Sequence, residues 1–301
     1  MDLLKGIINI LKPSGMTSHD VVSRLRRIFN MKKIGHTGTL DPNASGVLPI
    51  CLGKATKISE YILNKDKKYR CEVYFGIKTS TYDSYGEILE SKPINEIKKE
   101  DVENALKDFK GHIKQTPPIY SALKLNGKKL YEYARENKAV NLDIKKREVF
   151  IKDIKLISFK ENKVIIDVEC SKGTYIRSIA NDLGEKLNTV SYMSFLLRTK
   201  SGKFSLEDAI TLEELELLSY EDKKSHIKDI DYPLDIYDFI KINSLAKKAF
   251  VNGGVVYNKG IIGNLKDLDT KIFRVYTDED EFLGLGKIVD ELNIRCEKLL
   301  L

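Results

Sequence analysis

The chain is poor in the residues on which most catalytic chemistry is built. It holds four cysteines and four histidines in 301 residues. Cys51, Cys71, Cys170 and Cys296 form no CxxC pair, which excludes a thioredoxin-like redox motif and a cysteine-rich zinc site. His19, His36, His112 and His226 never pair at a one-turn helical spacing, so no catalytic zinc or other metal is expected. GxGxxG and GxSxG are absent. The spacing from Gly46 to Gly53-Lys54 is too long for a Walker loop, and Ala55 follows where Ser or Thr would hold magnesium. These absences leave no expected cofactor. There is no apolar run long enough to cross a membrane, and MDLLKGIINILKPSG lacks the core and cleavage site of a leader. The expectation is a cytoplasmic, reduced protein, with Cys51, Cys71 and Cys170 as buried thiols in apolar, strand-like runs.

What is present is ordinary globular material, 42% hydrophobic and 32% charged. Its length suits one large domain or a large and a small one. GIINIL (6–11) reads as a buried strand and Lys12-Pro13-Ser14-Gly15 as a turn. Ser18 is expected to cap a helix that carries Val21, Val22, Leu25, Ile28 and Phe29. A strand at 47–52, a helix at 54–63 and a strand at 68–75 follow. In the last, Tyr69, Cys71, Val73 and Phe75 alternate with Arg70, Glu72 and Tyr74. Strands at 146–159 and 162–171 and a helix at 174–187 complete the run. Strands and helices mix without a βαβ repeat, which predicts α+β with a mixed, largely antiparallel sheet. Pro233 marks a boundary between residues 1–233 and a small β-rich domain, 234–301.

Charge is polarised along the chain. Residues 110–148 hold ten Lys/Arg, among them Lys128, Lys129, Arg135 and Lys138, against four acids, Glu132, Glu136, Asp143 and Glu148. Tyr120, Tyr131 and Tyr133 are interleaved. Residues 24–33 add Arg24, Arg26, Arg27, Lys32 and Lys33, whereas 203–240 carry eleven acids against four lysines. Basic, tyrosine-bearing segments beside an acidic remainder are the footprint of a nucleic-acid binder.

One carboxylate stands apart. GHTGTLDPNASGVLP (35–49) places Asp41 alone among residues that bend or tighten the chain, with Gly35, Gly38 and Gly46 free to take positive φ and Pro42 pushing Asp41 extended. The plain alternative is a turn cap. Candidate helpers are Tyr69 and SKGTYIRSIANDLGEKL (171–187). There Tyr175 and Arg177, taken as first-turn residues, would lie about 200° apart on different helix faces. An arginine beside Asp41 would orient it and favour its charged form.

These strings together resemble the bacterial tRNA pseudouridine-55 synthases of the TruB family. The likeness runs through LKPSGMTSHDVV (11–22), the Asp41 loop, KKYRCEVYFGIKTSTYDSYGEI (67–88), QTPPIYSALKLNGKKLYEYAR (115–135), the 171–187 string and SFLLRTKSGKFSL (194–206). It implies a pseudouridine-synthase catalytic domain with an RNA-gripping thumb at 110–148 and a C-terminal PUA-like domain. It also implies Asp41 as catalytic aspartate, acting on the base, on sugar C1′ or by starting deprotonation. Arg177 would pair with it. Tyr69 would stack on the flipped uracil and shuttle a proton. His36 would wedge into the T-loop, and Tyr175 and Leu196 would line the base pocket. Lys12 and Pro13 would support the loop from below, with Lys12, Lys128 and Lys129 counted among the substrate-binding residues. The partner implied is the T-arm of tRNA, with no cofactor, no membrane, no obligate protein partner and a monomeric enzyme.

Three other readings remain at this point. A non-catalytic tRNA-folding protein would use the basic segment and need no carboxylate. A guide-RNA-dependent synthase is expected to carry terminal extensions. A hydrolase would need a second acid in a matching motif.

Overall fold

The computed structural model describes residues 4–94, 96–136 and 144–301. A ten-stranded mixed sheet forms its centre. From one edge the strands run Ile227–Lys228, Gly6–Lys12, Ser45–Leu52, Ser191–Ser201, Lys67–Phe75, Lys163–Cys170, Arg147–Lys160 and Gly111–Gln115. The short strands Ile34–His36 and Phe204–Ser205 pair beside this path. Among the described strands of this sheet the pairs are antiparallel except one. Leu197 and Arg198 lie parallel to Ser45 and Gly46.

That short parallel contact joins the two halves of the sheet, and it has a steric condition. Gly46 has φ +118°, and a Cβ there would stand 2.2 Å from the Arg198 carbonyl oxygen. Only glycine lets the two backbones meet so closely. The loop that bears Asp41 ends at this junction.

Both faces of the sheet are covered, which explains the unbroken apolar run of 6–11. Ile8 and Ile10 pack with Val21, Val22 and Leu25 of the helix Ser18–Ile28 and with Leu212 and Leu215. On the other face, Ile7, Val47 and Cys51 meet Leu234, Leu285 and Leu300 from the C-terminal part. A separate cluster joins Cys71, Val73, Ile166 and Val168 to Ile179 and Leu183 of the helix Ile176–Lys186. The expected thiols Cys51, Cys71 and Cys170 are buried.

The C-terminal part forms its own six-stranded sheet from Phe239–Ile242 to Asn293–Leu299. It packs around Ile240, Phe250, Phe273 and Leu283. Its apolar contact through Leu285 and Leu300 makes it continuous with the central core.

Local chemistry shifts several boundaries. Thr17, not Ser18, caps the first helix. Its hydroxyl accepts from the Asp20 N–H, and Asp20 returns a bond to the Thr17 N–H. The expected helix at 54–63 splits into the 3₁₀ turn Gly53–Ile58 and the helix Ser59–Leu63. The basic segment begins inside the sheet, because Gln115 pairs with Arg147 and Gly111 with Ile151. Of the described residues between Gln115 and Arg147, Lys124–Leu125 and Lys128–Lys129 form a hairpin off the sheet and Leu130–Arg135 a helix. Lys138, Asp143 and the side chain of Arg135 lie outside the described residues.

The charge pattern changes meaning in three dimensions. Arg24 binds Glu213 at 2.6 Å and Glu216 at 2.7 Å, so part of the basic run 24–33 is spent on the acidic run. Lys128 pairs with Glu136, and Lys110 reaches Asp153 at 3.3 Å. Among the described residues no helix is long and apolar enough to cross a membrane.

Candidate active site

Asp41 sits on a loop fixed from below. The Lys12 side chain is fully buried, and its ammonium donates to the carbonyls of Met16 (2.6 Å), Pro13 (2.8 Å) and Pro42 (3.0 Å). The Gly15 N–H also donates to Pro42, at 2.9 Å, and the Ser14 hydroxyl to Asn43, at 3.0 Å. Ser18 holds the residue before the aspartate, its hydroxyl accepting from the Leu40 N–H at 2.9 Å. The turn at 12–15 and the start of the first helix therefore set the backbone on both sides of Asp41. Lys12, expected among the substrate-binding residues, is turned onto these carbonyls and does not line the cavity.

Burial pulls the Lys12 ammonium down to about 8 from its ordinary 10.5, with Asp41 holding it up in part and Arg198 lowering it. Below about pH 8 folded and unfolded chains both carry the charge, and the fold bears the cost of burying it. Between about 8 and 10.5 the unfolded chain binds more protons, so this group makes folding more favourable as pH rises. The expected result is a wild-type advantage over Lys12→Met, read as the denaturant midpoint, that grows across that window. A difference that stays flat or falls would contradict the burial of a charged lysine here.

A second buried cation lies above the loop. Arg198 is 1% exposed, and its Nε donates to the Val47 carbonyl at 2.7 Å and its Nη2 to that of Gly38 at 3.3 Å. Reading of the sequence passed over Arg198. The signal was present, because strand alternation puts it on the face of Leu196, which is also buried. Gly38 takes φ +143° beside this guanidinium, whereas Gly35 lies in the strand Ile34–His36 and needs no positive φ.

Arg177 closes the site from the side. Its Nε lies 2.9 Å from Asp41 Oδ2. Its other nitrogens donate to the carbonyls of Thr81 (3.1 Å) and Tyr120 (3.0 Å), and Nη1 lies 3.6 Å from Asp83 Oδ2. The Arg177 side chain is 7% exposed and that of Asp41 39%, so the carboxylate faces outward from a fixed cation. Asp83 is a second acid at this centre, inside the 67–88 string but not singled out there as a site residue. It touches Arg177 rather than the cavity.

The cavity over Asp41 measures about 640 Å³. His36, Tyr69, Tyr175, Arg177, Leu196 and Asp41 all line it, with Tyr131 and Tyr120 reaching it from the basic segment. Tyr175 is not in the helix but extended before it, at φ −97° and ψ 108°. The wheel that set its ring opposite Arg177 does not apply, and both face the same space. Burial pushes the Tyr69 phenol up, against a smaller pull from the neighbouring Arg198, so it stays protonated and can donate. Burial and then Arg198 push His36 down toward the neutral imidazole. Its Nδ1 accepts a long bond from the Gly38 N–H, 3.4 Å, which leaves Nε2 to carry the proton. Lys128 and Lys129 do not themselves line the cavity and lie over the rings of Tyr133 (4.9 Å) and Tyr131 (5.4 Å). Among the described residues no group of His, Cys, Asp and Glu could hold a metal.

A half-exposed carboxylate fixed by an arginine, under an aromatic wall and a protonated phenol, suits attack on or proton removal from a flat, uncharged heterocycle and its sugar. The volume suits one nucleotide unit. Comparison with known proteins agrees in kind. Residues 26–176 match the TruB family pseudouridylate synthase (N terminal domain), and residues 177–236 match the tRNA pseudouridylate synthase B C-terminal domain. A tRNA pseudouridine synthase B of Clostridioides difficile is 53% identical over 98% of this chain and 99% of its own. One of Staphylococcus epidermidis is 45% identical over 88% and 89%. The solved Cbf5-Nop10-Gar1 complex contains a chain 27% identical, with TM-score 0.75 over 98% of this chain and 85% of that one. An H/ACA RNP bound to a substrate RNA containing 2'-deoxyuridine gives 26% and 0.74 over the same shares. The chain belongs to the TruB family of pseudouridine synthases, isomerases that convert uridine to pseudouridine in RNA.

Proposed function

We propose that this enzyme isomerises the T-loop uridine of tRNA, position 55, with Asp41 as its catalytic carboxylate. The observation that carries the reading is the Asp41–Arg177 pair at 2.9 Å, opening into a nucleotide-sized cavity. The reaction breaks N1–C1′, turns the uracil and forms C5–C1′. The C5 proton leaves and N1 gains one, so no co-reactant is consumed.

The T-loop is folded, so the uridine must be extruded at a cost of about a few kcal/mol. Stacking on Tyr69 returns about 1–3 kcal/mol. His36 lines the cavity, and we read its flat ring as the group that takes the place the base has left. Tyr175 and Leu196 form walls that fit uracil, and the protonated Tyr69 hydroxyl is placed to exchange a proton with the moving base. Arg198 and Lys12 keep the loop from yielding as the base enters.

We read the enzyme as a monomer that acts on tRNA without an obligate protein partner. A tRNA substrate puts the enzyme in the cytoplasm. We read residues 1–233 as the catalytic domain and 234–301 as a small RNA-contacting domain that shares its core. The hairpin and helix between Gln115 and Arg147 serve as the thumb. An isolated T-arm hairpin labelled with tritium at uridine C5 should release tritium at a rate near that of whole tRNA. Turnover of whole tRNA with an inert hairpin would contradict T-arm recognition.

The thumb gives a second expectation. Lys128→Glu with Lys129→Glu should weaken tRNA binding and flatten its salt dependence by about one unit of slope per lysine that meets a phosphate. Lys128 is already paired with Glu136, so Lys129→Glu alone should account for most of the change. An unchanged slope for the double variant would remove both lysines from the RNA interface.

A further inference from the structure

We infer that Gln115 is a positioning residue of the reaction. Its side-chain amide holds the Tyr175 backbone out of the helix, so that Tyr175 and Arg177 face the same cavity. Gln115 ends the strand Gly111–Gln115 and is 2% exposed. Its Nε2 donates to the Tyr175 carbonyl at 2.9 Å, and its Oε1 accepts from the Tyr175 N–H at 2.8 Å. One amide thus meets both polar groups of one residue, as a neighbouring strand would.

The consequence follows from the helix start. Tyr175 is the N-cap of Ile176–Lys186 and offers no side-chain cap of its own. Its carbonyl already receives the N–H groups of Ser178 (3.1 Å) and Ile179 (3.3 Å). Without a partner for its own N–H, the backbone could wind one residue further. That step would carry the ring about 100° round the axis, away from the cavity. The amide blocks it by engaging the extended form.

The same stretch makes two further ties. The Ser178 hydroxyl donates to the Thr116 carbonyl at 2.8 Å, and Arg177 donates to the Tyr120 carbonyl at 3.0 Å. Residues 175, 177 and 178 are therefore each bonded to the root of the thumb. The position of Arg177, and through it of Asp41, is set where the thumb leaves the sheet. Gln115 does not line the cavity, so it acts through Tyr175 and Arg177 rather than on the substrate.

The inference rests on the isomerase reading, and the experiment separates the two. Single-turnover tritium release from C5-labelled tRNA is measured with wild type, Gln115→Met, Gln115→Glu and Ser178→Ala, beside tRNA affinity and thermal unfolding. Silent wild-type enzyme would count against the function reading. With active wild type, Gln115→Met should lose about 10²-fold in the chemical step, the scale of a misplacement near 1 Å, with affinity within about threefold.

Gln115→Glu keeps the volume and the acceptor but loses the donor. Its deficit should shrink as pH falls and the carboxyl regains a proton to give to the Tyr175 carbonyl. Ser178→Ala leaves the core intact and should lose several-fold in the same step, which keeps the test alive if Gln115→Met does not fold. Chemical rates within about twofold of wild type in the folded variants would overturn the proposal. So would losses confined to affinity, or a Gln115→Glu deficit that ignores pH.

Discussion

Asp41→Asn should reduce tritium release from C5-labelled tRNA by about 10⁴-fold or more, which is the scale seen when an essential reacting group is removed. It should leave tRNA binding and thermal stability close to wild type. The amide keeps the shape and can still face Arg177, but it offers neither a negative charge nor a basic oxygen to the nucleoside. Stability should hold because the loop is fixed by other groups, chiefly Lys12 on Pro42 and Ser18 on Leu40. Binding should hold because stacking and phosphate contacts use other residues. A variant that folds, binds and still turns over would remove Asp41 from the chemistry. One that folds and fails to bind would make it a recognition residue.

Arg177→Lys should cost about 10²–10³-fold in the same step. The guanidinium serves four acceptors at once: Asp41 at 2.9 Å, the carbonyls of Thr81 and Tyr120, and Asp83 at 3.6 Å. A lysine keeps the charge but is a point donor on a flexible stem, and cannot span that fork. Asp41 then loses its fixed orientation, and Tyr120 its link to the centre. Arg177→Met should fold poorly. It leaves Asp83 and the carbonyls of Thr81 and Tyr120 without the donor they face, and a buried polar group left unsatisfied typically costs about 1–3 kcal/mol. Arg177→Lys turning over within about threefold of wild type would show that charge alone is enough there.

The parts of this site that lie close in sequence were legible before the fold was known. The Asp41 loop announced itself because a single acid stood among residues that constrain backbone angles. The strand bearing Tyr69 was legible because its residues alternate, and Tyr69 itself was singled out by its place at the start of that strand and by the family resemblance. The run 6–11 gave a buried strand for the opposite reason, an unbroken apolar stretch that suits a strand covered on both faces.

What escaped depends on contacts between distant segments. Arg198 looked like one more strand arginine. Its burial follows from the parallel junction with Gly46, which only the closed sheet creates. Asp83 became part of the centre through Arg177, 94 positions away in the chain. Tyr175 was misplaced because the helix was begun two residues too early, across an N-cap held by Gln115, which is 60 residues distant in sequence. Ser18 was taken for the cap because its type fits as well as that of Thr17. The choice fell to Thr17 once Ser18 turned inward to hold Leu40. The charge runs were visible and their destinations were not. Arg24 faces Glu213 and Glu216 rather than a phosphate.

Lys12, Arg198 and Arg177 are buried cations aimed at carbonyls and carboxylates, so the aspartate loop is set before substrate arrives. Tyr120 and Tyr131 reach the cavity from the segment outside the sheet, and Arg177 ties the Tyr120 carbonyl to the centre.

The most direct test is to map pseudouridine in an unmodified tRNA transcript by carbodiimide labelling and primer extension, with wild type beside Asp41→Asn. The account predicts a single new stop at the T-loop uridine with wild type and none with the variant. A stop elsewhere in the tRNA, or the same stop with both proteins, would contradict it.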